Sequence, residues 1–415
     1  MSTTDHFRIA NTAKRTGPGA RVWNQLAIAT NWPVLVAVIV LSAVGIISIW
    51  AHAPGEAKRQ LMFFGLALAC MGLFQAVNYQ KIGRVAWPFY IFSILLIGYT
   101  LLGSAMGSVP GVTMRNGAYN WISFGSFSLQ PAELLKIAFI LVLARYLRFR
   151  SNYRTLKGLL APFALALMPM ALILKQPDLG TALTLIPALF VMLFVAGAKM
   201  RHLLAIVGLG LLCAPMLWFA GNCSRSDCNI CPDVPVLRSA PQFVKHYQRA
   251  RVYAMFSNDP RTLRDTGFQQ HRAVIAFGSG GVAGKGIGNI PIGRNVPEAH
   301  NDMIFALIGE QFGFFGALVV LAAYIVLFAA GVEIAAATRE PFGRLIAVGI
   351  VALMSGQTFL NLLVAVKMMP VTGVTLPFIS YGGSSLLASF MAAGLLLNVG
   401  QNRPLVLAKD SFEFD

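Results

Sequence analysis

The feature that most constrains this chain is a series of apolar blocks of about 17 to 25 residues, each long enough to cross a hydrocarbon core of roughly 30 Å as a helix. Ten such blocks fall at 33–50, 60–77, 87–103, 131–147, 159–175, 181–197, 202–220, 304–328, 344–366 and 376–399. Only 12% of the 415 residues are charged, about half the share of an ordinary soluble domain, and 56% are hydrophobic. The expected fold is therefore all-α, a polytopic membrane protein of ten transmembrane helices. Little chain remains for a soluble catalytic domain, so any chemistry must come from helix ends and loops. The net charge of +17 points to topology and to anionic lipid headgroups before nucleic acid, because basic residues beside spans serve both.

With the N-terminus inside, the tails and inner connections hold 17 Lys and Arg, against five in the short outer connections: Lys58, Arg59, Arg115, Lys175 and Lys367. Both termini are thus expected in the cytoplasm. Residues 1–32 read as a retained basic tail, too long and charged for a signal peptide's first region, and 400–415 as a second tail around a membrane domain at 33–399. No internal repeat of the inverted-transporter kind is evident. The 221–303 loop, far longer than an ordinary connection, is expected outside the cytoplasm, functional, and partly helical or re-entrant.

Three loop cysteines, Cys223, Cys228 and Cys231, read first as one disulfide with one thiol left over; zinc would need a fourth ligand such as His246. Cys70 and Cys213 read as packing residues. The run Phe277–Gly288 contains Gly278-x-Gly280-x-x-Ala283, with Asp302 about 20 residues on, but no strand and parallel sheet surround it, so a dinucleotide fold is rejected. A P-loop fails because Ser279 stands where its first glycine belongs and Gly286 follows Lys285. These glycines are expected to let backbone approach a headgroup, with Lys285 near phosphate.

Ionisable groups within spans are costly and are candidates by default. Glu133 and Lys136 share one helical face at the start of span four; behind Pro131, Glu133 also suits the positive end of the helix dipole, with Lys136 as its partner. Asp178 lies in a tight outer turn, where a turn-forming role explains it almost as well. Asp302 opens span eight, as an N-cap, a base, or both. Arg249 and Arg251 suit phosphate or solvent. The stretch Pro370–Ser385 is rich in small residues and includes Ser380 and Tyr381, a kinked helix entry that equally suits close helix packing. All these groups fall at the outer ends of spans. With no ATP outside, a synthetic reaction there needs a substrate carrying its own activation, and a polyprenyl-pyrophosphate-linked sugar fits: lipid between spans, pyrophosphate on Arg and Lys, sugar at a carboxylate. Pyrophosphate leaves readily, so one general base suffices. No compact metal site is evident and no cofactor is required, although Mg or Mn is compatible with a pyrophosphate.

The motifs Asn116-Gly-Ala with Trp121-Ile, Gln130-Pro-Ala-Glu-Leu-Leu-Lys136, Gln176-Pro-Asp-Leu-Gly-Thr181, Tyr247-Gln-Arg-Ala-Arg251, Gly280-Gly with Gly284-Lys-Gly286, Pro297-Glu-Ala-His-Asn-Asp302 and Pro370–Ser385 resemble, in order and over nearly the whole chain, the SEDS family of RodA, FtsW and the spore-cortex proteins. The resemblance implies a peptidoglycan glycosyltransferase polymerising lipid II beside a class B penicillin-binding protein and other elongation-complex proteins at the bacterial cytoplasmic membrane. It places the essential carboxylate on Asp302, the charged pair on Glu133 and Lys136, and the outer-turn aspartate on Asp178. Asn301, Ala132 and Asn120 depart from the usual Thr, Ser and basic residue. The wording of the motifs at Lys175 and Pro370 looks more like RodA than FtsW, which implies elongation. In the expected reaction Asp302 takes the proton of the acceptor's 4-hydroxyl, and Arg249, Lys285 and Lys136 meet the pyrophosphate charge. The rivals are a lipid-linked precursor flippase, for which Gln357 and Asn361 are the main mid-span polar groups, and a non-catalytic scaffold.

Overall fold

A computed structural model describes residues 31–107, 109–115, 117–125, 127–220, 244–257, 259–265 and 267–402; Cys223, Cys228, Cys231 and most of both tails lie outside them. The helices are α1 (Trp32–His52), α2 (Pro54–Ala76), the short α3 (Tyr79–Arg84), α4 (Ala86–Met106), α5 (Pro131–Phe149), α6 (Leu160–Lys175), α7 (Leu179–Ala196), α8 (Met200–Phe219), α9 (His246–Phe256), α10 (Pro260–Arg264), α11 (Phe268–Ser279), α12 (Ile304–Ala337), α13 (Pro341–Ala365) and α14 (Gly383–Gln401). Among the described residues, nine are long and apolar enough to cross a membrane. The helix α5 falls outside that group because it carries Glu133, Lys136, Arg145 and Arg148. It is nonetheless deeply enclosed over its first four turns, with Leu135 through Ala144 buried. The protein is an all-α, multi-pass membrane protein.

Its periphery is apolar and open. On α8, Leu204, Leu209, Leu211 and Leu212 are 60–73% exposed, a surface that hydrocarbon covers at no cost but water would not. Inside, polar side chains join helices where hydrocarbon offers backbone no partner. The amide of Asn398 on α14 donates to the carbonyls of Phe74, Gln75 and Val77 at the end of α2, while its oxygen accepts from the Tyr79 amide.

Three features depart from the apolar pattern. A three-stranded antiparallel sheet, β1 (Val112–Arg115), β2 (Ala118–Phe124) and β3 (Phe127–Leu129), connects α4 to α5, pairing Thr113 with Trp121 and Ile122 with Leu129. The last span begins at Gly383 rather than 376, because the Leu376 amide donates to the Ser380 hydroxyl and the Ser380 carbonyl accepts from Gln60, which holds the entry as a turn. Finally, α12 runs for 34 residues, about 51 Å if straight, well beyond the hydrocarbon. Gly313 (φ 62, ψ −156) breaks it, so that Ile304–Phe312 is a separate segment from the apolar run behind it.

The glycine run packs against that break. A Cβ on Gly280 would overlap the Gly309 carbonyl and one on Gly284, at φ 80, the Gln311 carbonyl. The Lys285 and Gly286 amides donate to the Glu310 and Gln311 carbonyls, and the Phe314 amide to Gly281. These glycines therefore serve backbone-to-backbone contact within the protein, in place of the expected approach to a headgroup.

Candidate active site

Asp302 lies two residues before α12, in an irregular stretch packed on a small apolar cluster of Ala273, Ile290, Val296, Ala299, Met303, Ala306 and Leu307. It is not the helix cap: that position belongs to Met303, which makes no side-chain capping bond. The carboxylate instead accepts from Gln269 Nε2 on α11 at 2.9 Å, and Gln269 also donates to the Pro297 carbonyl at 3.1 Å. The Asp302 carbonyl is held by Asn361 Nδ2 at 2.8 Å. Thus backbone and side chain are each fixed by an amide from a different helix.

Burial leaves Asp302 only 8% exposed and pushes its carboxyl up to about 6; Glu298 adds to the rise, while Arg251 and the Gln269 bond oppose it. Glu298 occupies the left-handed region at φ 50, held there as its carbonyl accepts from the Asn301 amide and its carboxylate from the Asn301 side chain. The unusual Asn301 therefore fixes the charge that faces Asp302.

Glu133 and Lys136 form a 2.8 Å ion pair with side chains 7% and 4% exposed. Lys136 also donates to Gln357 Oε1 at 3.0 Å, and Gln357 Nε2 reaches the Thr375 carbonyl at 2.8 Å. Asp178 is the cap of α7, accepting from the Thr181 amide and hydroxyl at 3.0 and 2.8 Å, and it accepts from Gln130 Nε2 at 3.1 Å. Desolvation raises the Asp178 carboxyl, against the two Thr181 bonds; Glu133 adds to the rise and Lys136 opposes it. The geometry of Asp178 is that of a helix cap, with both oxygens engaged by Thr181 and Gln130.

The cations divide. Arg251 is exposed, stacks over Tyr247 and donates to the Val371 carbonyl at 3.0 Å. It thereby links α9 to the stretch before α14, and its charge reaches Asp302. Arg249 is 2% exposed and donates to the Ala220 carbonyl. Lys285 does not stand free for phosphate: it pairs with Glu310 at 2.7 Å and donates to the Ser279 hydroxyl. Ser380 closes its own turn, and Tyr381 donates its amide to the His300 carbonyl with the two rings 5.4 Å apart.

Sequence reasoning passed over Gln269, the residue touching the carboxylate, and Glu310, whose oxygens also accept from the Ile292 and Gly293 amides at 3.1 and 2.6 Å. Glu310 carried a usable signal, a carboxylate inside an apolar run; Gln269 carried none. His300 Nε2 lies 2.7 Å from Glu56 and the His300 ring lies 5.4 Å from that of His52, and Gln357 and Asn361, the polar groups that suited a transport path, are bonded instead to Lys136 and to backbone carbonyls. The chemistry available is that of one poised carboxylate at a rigid loop, with an ion pair and an exposed guanidinium at the same end of the bundle. Among the described residues, no group of three or more His, Cys, Asp and Glu could hold a metal.

The family model described as cell cycle protein, covering FtsW, RodA and SpoVE, matches residues 22–404. The chain is 35% identical over 349 residues to a probable peptidoglycan glycosyltransferase FtsW of Geobacter metallireducens, covering 82% of this chain and 84% of that one. Its fold matches a chain of a solved peptidoglycan synthase complex that coordinates polymerization and crosslinking, with a TM-score of 0.72 and 30% identity over 91% of this chain and 99% of that one. RodA of Thermus thermophilus matches with a TM-score of 0.61 and 28% identity, over 90% and 97%. With the motif carboxylate, the buried charged pair and the long kinked helix in one bundle, and a family match over residues 22–404, the chain belongs to the FtsW/RodA/SpoVE family, the SEDS proteins.

Proposed function

We propose that this protein is a peptidoglycan glycosyltransferase that polymerises lipid II, with Asp302 as general base. The observation that carries this reading is the Asp302 carboxylate itself, desolvated to a pKa of about 6, oriented by Gln269 and anchored through its own carbonyl by Asn361. A base of that strength is ionised at neutral pH yet basic enough to take a hydroxyl proton as it develops. Asp302 accepts the proton of the acceptor's N-acetylglucosamine 4-hydroxyl, the oxygen attacks C1 of the donor's N-acetylmuramic acid, and undecaprenyl pyrophosphate leaves with inversion to a β-1,4 bond. Arg251 is the cation open to the pyrophosphate, with Lys136 acting from within the buried pair. The step as drawn needs no cofactor, and Mg or Mn is compatible with it.

The positive-inside count supports cytoplasmic termini and an outward-facing site in the bacterial cytoplasmic membrane. The likeness to a chain of a synthase complex supports a class B penicillin-binding protein as partner. Elongation is the finer reading, resting on the motif wording around Lys175 and Pro370. The Geobacter relative named FtsW weighs toward division, and side-wall or septal placement of a fluorescent fusion decides between them.

The test is polymerisation of labelled lipid II by the purified protein with its genomically neighbouring penicillin-binding protein, transpeptidase inactivated, comparing wild type with Asp302→Asn at matched folding. Long glycan from wild type and a drop of about 10²–10⁴ in the variant is the expected result. Equal product from both moves the chemistry away from Asp302.

A further inference from the structure

At the end of the bundle away from Asp302, a cavity of about 290 Å³ is lined by Arg84, Arg145 and Arg148 with Phe149 and Phe342. Phe342 lies 19 positions before Asn361 on α13, which places the cavity about 28 Å from the candidate active site along the helix. The arginines come from two elements: Arg84 ends α3, and Arg145 and Arg148 lie in the last two turns of α5.

Their charges are poorly matched. Arg148 pairs with Glu340 Oε1 at 3.2 Å, while Glu340 Oε2 accepts from the Gly343 amide at the start of α13. Among the described residues, Arg145 donates only to a neutral group, the Gly83 carbonyl, and Arg84 is exposed. No carboxylate is among the cavity's lining residues. A helix C-terminus favours each arginine singly, but that does not explain why three guanidiniums converge on one hollow, where like charges oppose each other. An anion seated between them does.

The surroundings identify its source. Phe149 is 65% exposed beside the cavity, and Val85 and Trp87, following Arg84, are 55% and 40% exposed; an aromatic and apolar rim beside basic groups is the composition of a membrane interface. The volume is near the lower limit of a small-molecule site, enough for a headgroup with its chains left outside. Guanidinium is the group best matched to phosphate oxygens. We propose that this cavity binds the phosphate of an anionic phospholipid, in the leaflet opposite the glycosyl transfer. The site is separate from the lipid-linked substrate, and it stands whether or not Asp302 is the base.

Photoactivatable phosphatidylglycerol, added to the purified full-length protein in phosphatidylcholine nanodiscs, should label peptides around 80–84 and 145–149. Unlabelled phosphatidylglycerol should compete, and excess phosphatidylcholine should not. The double variant Arg84→Gln with Arg145→Gln spares the Arg148–Glu340 pair and should weaken apparent affinity about 25-fold, at roughly fivefold per guanidinium. If the double variant does not fold, Arg84→Gln alone, at an exposed position, should weaken it about fivefold. Undiminished labelling in a folded variant would overturn the proposal, as would equal competition by phosphatidylcholine. Displacement by inorganic phosphate at concentrations matching the lipid would reassign the cavity to a free anion and overturn the lipid assignment.

Discussion

Gln357 and Asn361 lie one turn apart on α13 and tie both charged halves of the site to one backbone segment. Gln357 joins Lys136 to Thr375, and Asn361 joins Asp302 to Val374. Asp302 and the buried ion pair are thereby held in register by two amides on a single helix face.

Replacing Asn361 by Leu leaves the Asp302 and Val374 carbonyls without that donor in a buried setting, a cost of about 1–3 kcal/mol for each unpaired group. The melting temperature in detergent should fall, and polymerisation should fall further than the folded fraction, because the base loses its anchor. Activity tracking the folded fraction alone would show that Asn361 only stabilises the fold.

The pH profile follows from Asp302. A base with a pKa of about 6 gives kcat/KM that rises with pH through that value. Gln269→Ala removes a donor to the charged form, so the acid limb should move to higher pH; Arg251→Ala should move it the same way. A shift to lower pH in either variant contradicts this assignment. For stability, a carboxyl raised on folding contributes below its unfolded value, and the contribution is lost as pH rises through about 6. Asp302→Asn should remove that part of the pH dependence of unfolding.

Glu133 and Lys136 are buried as a pair, so each alone is a liability. Glu133→Gln or Lys136→Met singly should cost about 3–5 kcal/mol, and the double variant markedly less than the sum. Thermal unfolding of the four proteins reads the coupling; additive losses would show the pair to be unlinked. Restored stability without restored polymerisation in the double variant would assign the charges to substrate.

The loop that carries Asp302 depends on Glu310. Glu310→Gln weakens three attachments together, to Lys285, Ile292 and Gly293, and should expose residues 285–295 to limited proteolysis. Gly284→Ala should do the same through backbone overlap and a positive φ. Resistance equal to wild type in both would mean that the loop is held by its apolar cluster alone.

The apolar runs were legible because bilayer thickness imposes a length on each, and a helix lies on every one of them, although among the described residues nine are long and apolar enough to cross a membrane and some ends move, α12 running to Ala337 rather than 328. The late entry to α14, at Gly383 rather than 376, is set by Gln60, 320 residues away in sequence, which no local pattern reveals. The sheet before α5 had a readable signal, Tyr119-Asn-Trp-Ile-Ser-Phe124 between Gly117 and Gly125, hidden beside much stronger helical runs. Asp302 and the Glu133–Lys136 pair stood out as charges in apolar surroundings. Of the partners that orient Asp302, Asn361 stood out only as a mid-span polar group and Gln269 not at all, since their contacts with it exist only once α11, α13 and the 296–302 stretch are adjacent.

The break at Gly313 separates the place where α12 meets the lipid from the place where it meets the chemistry. A bilayer that thickens or thins exerts its mismatch on the apolar run after the break, which can tilt to follow it. The short segment behind Asp302 is fastened instead to the glycine loop. The depth of the carboxylate is thus referenced to the protein's own scaffold, and a single enzyme can work unchanged across membranes of differing acyl-chain length.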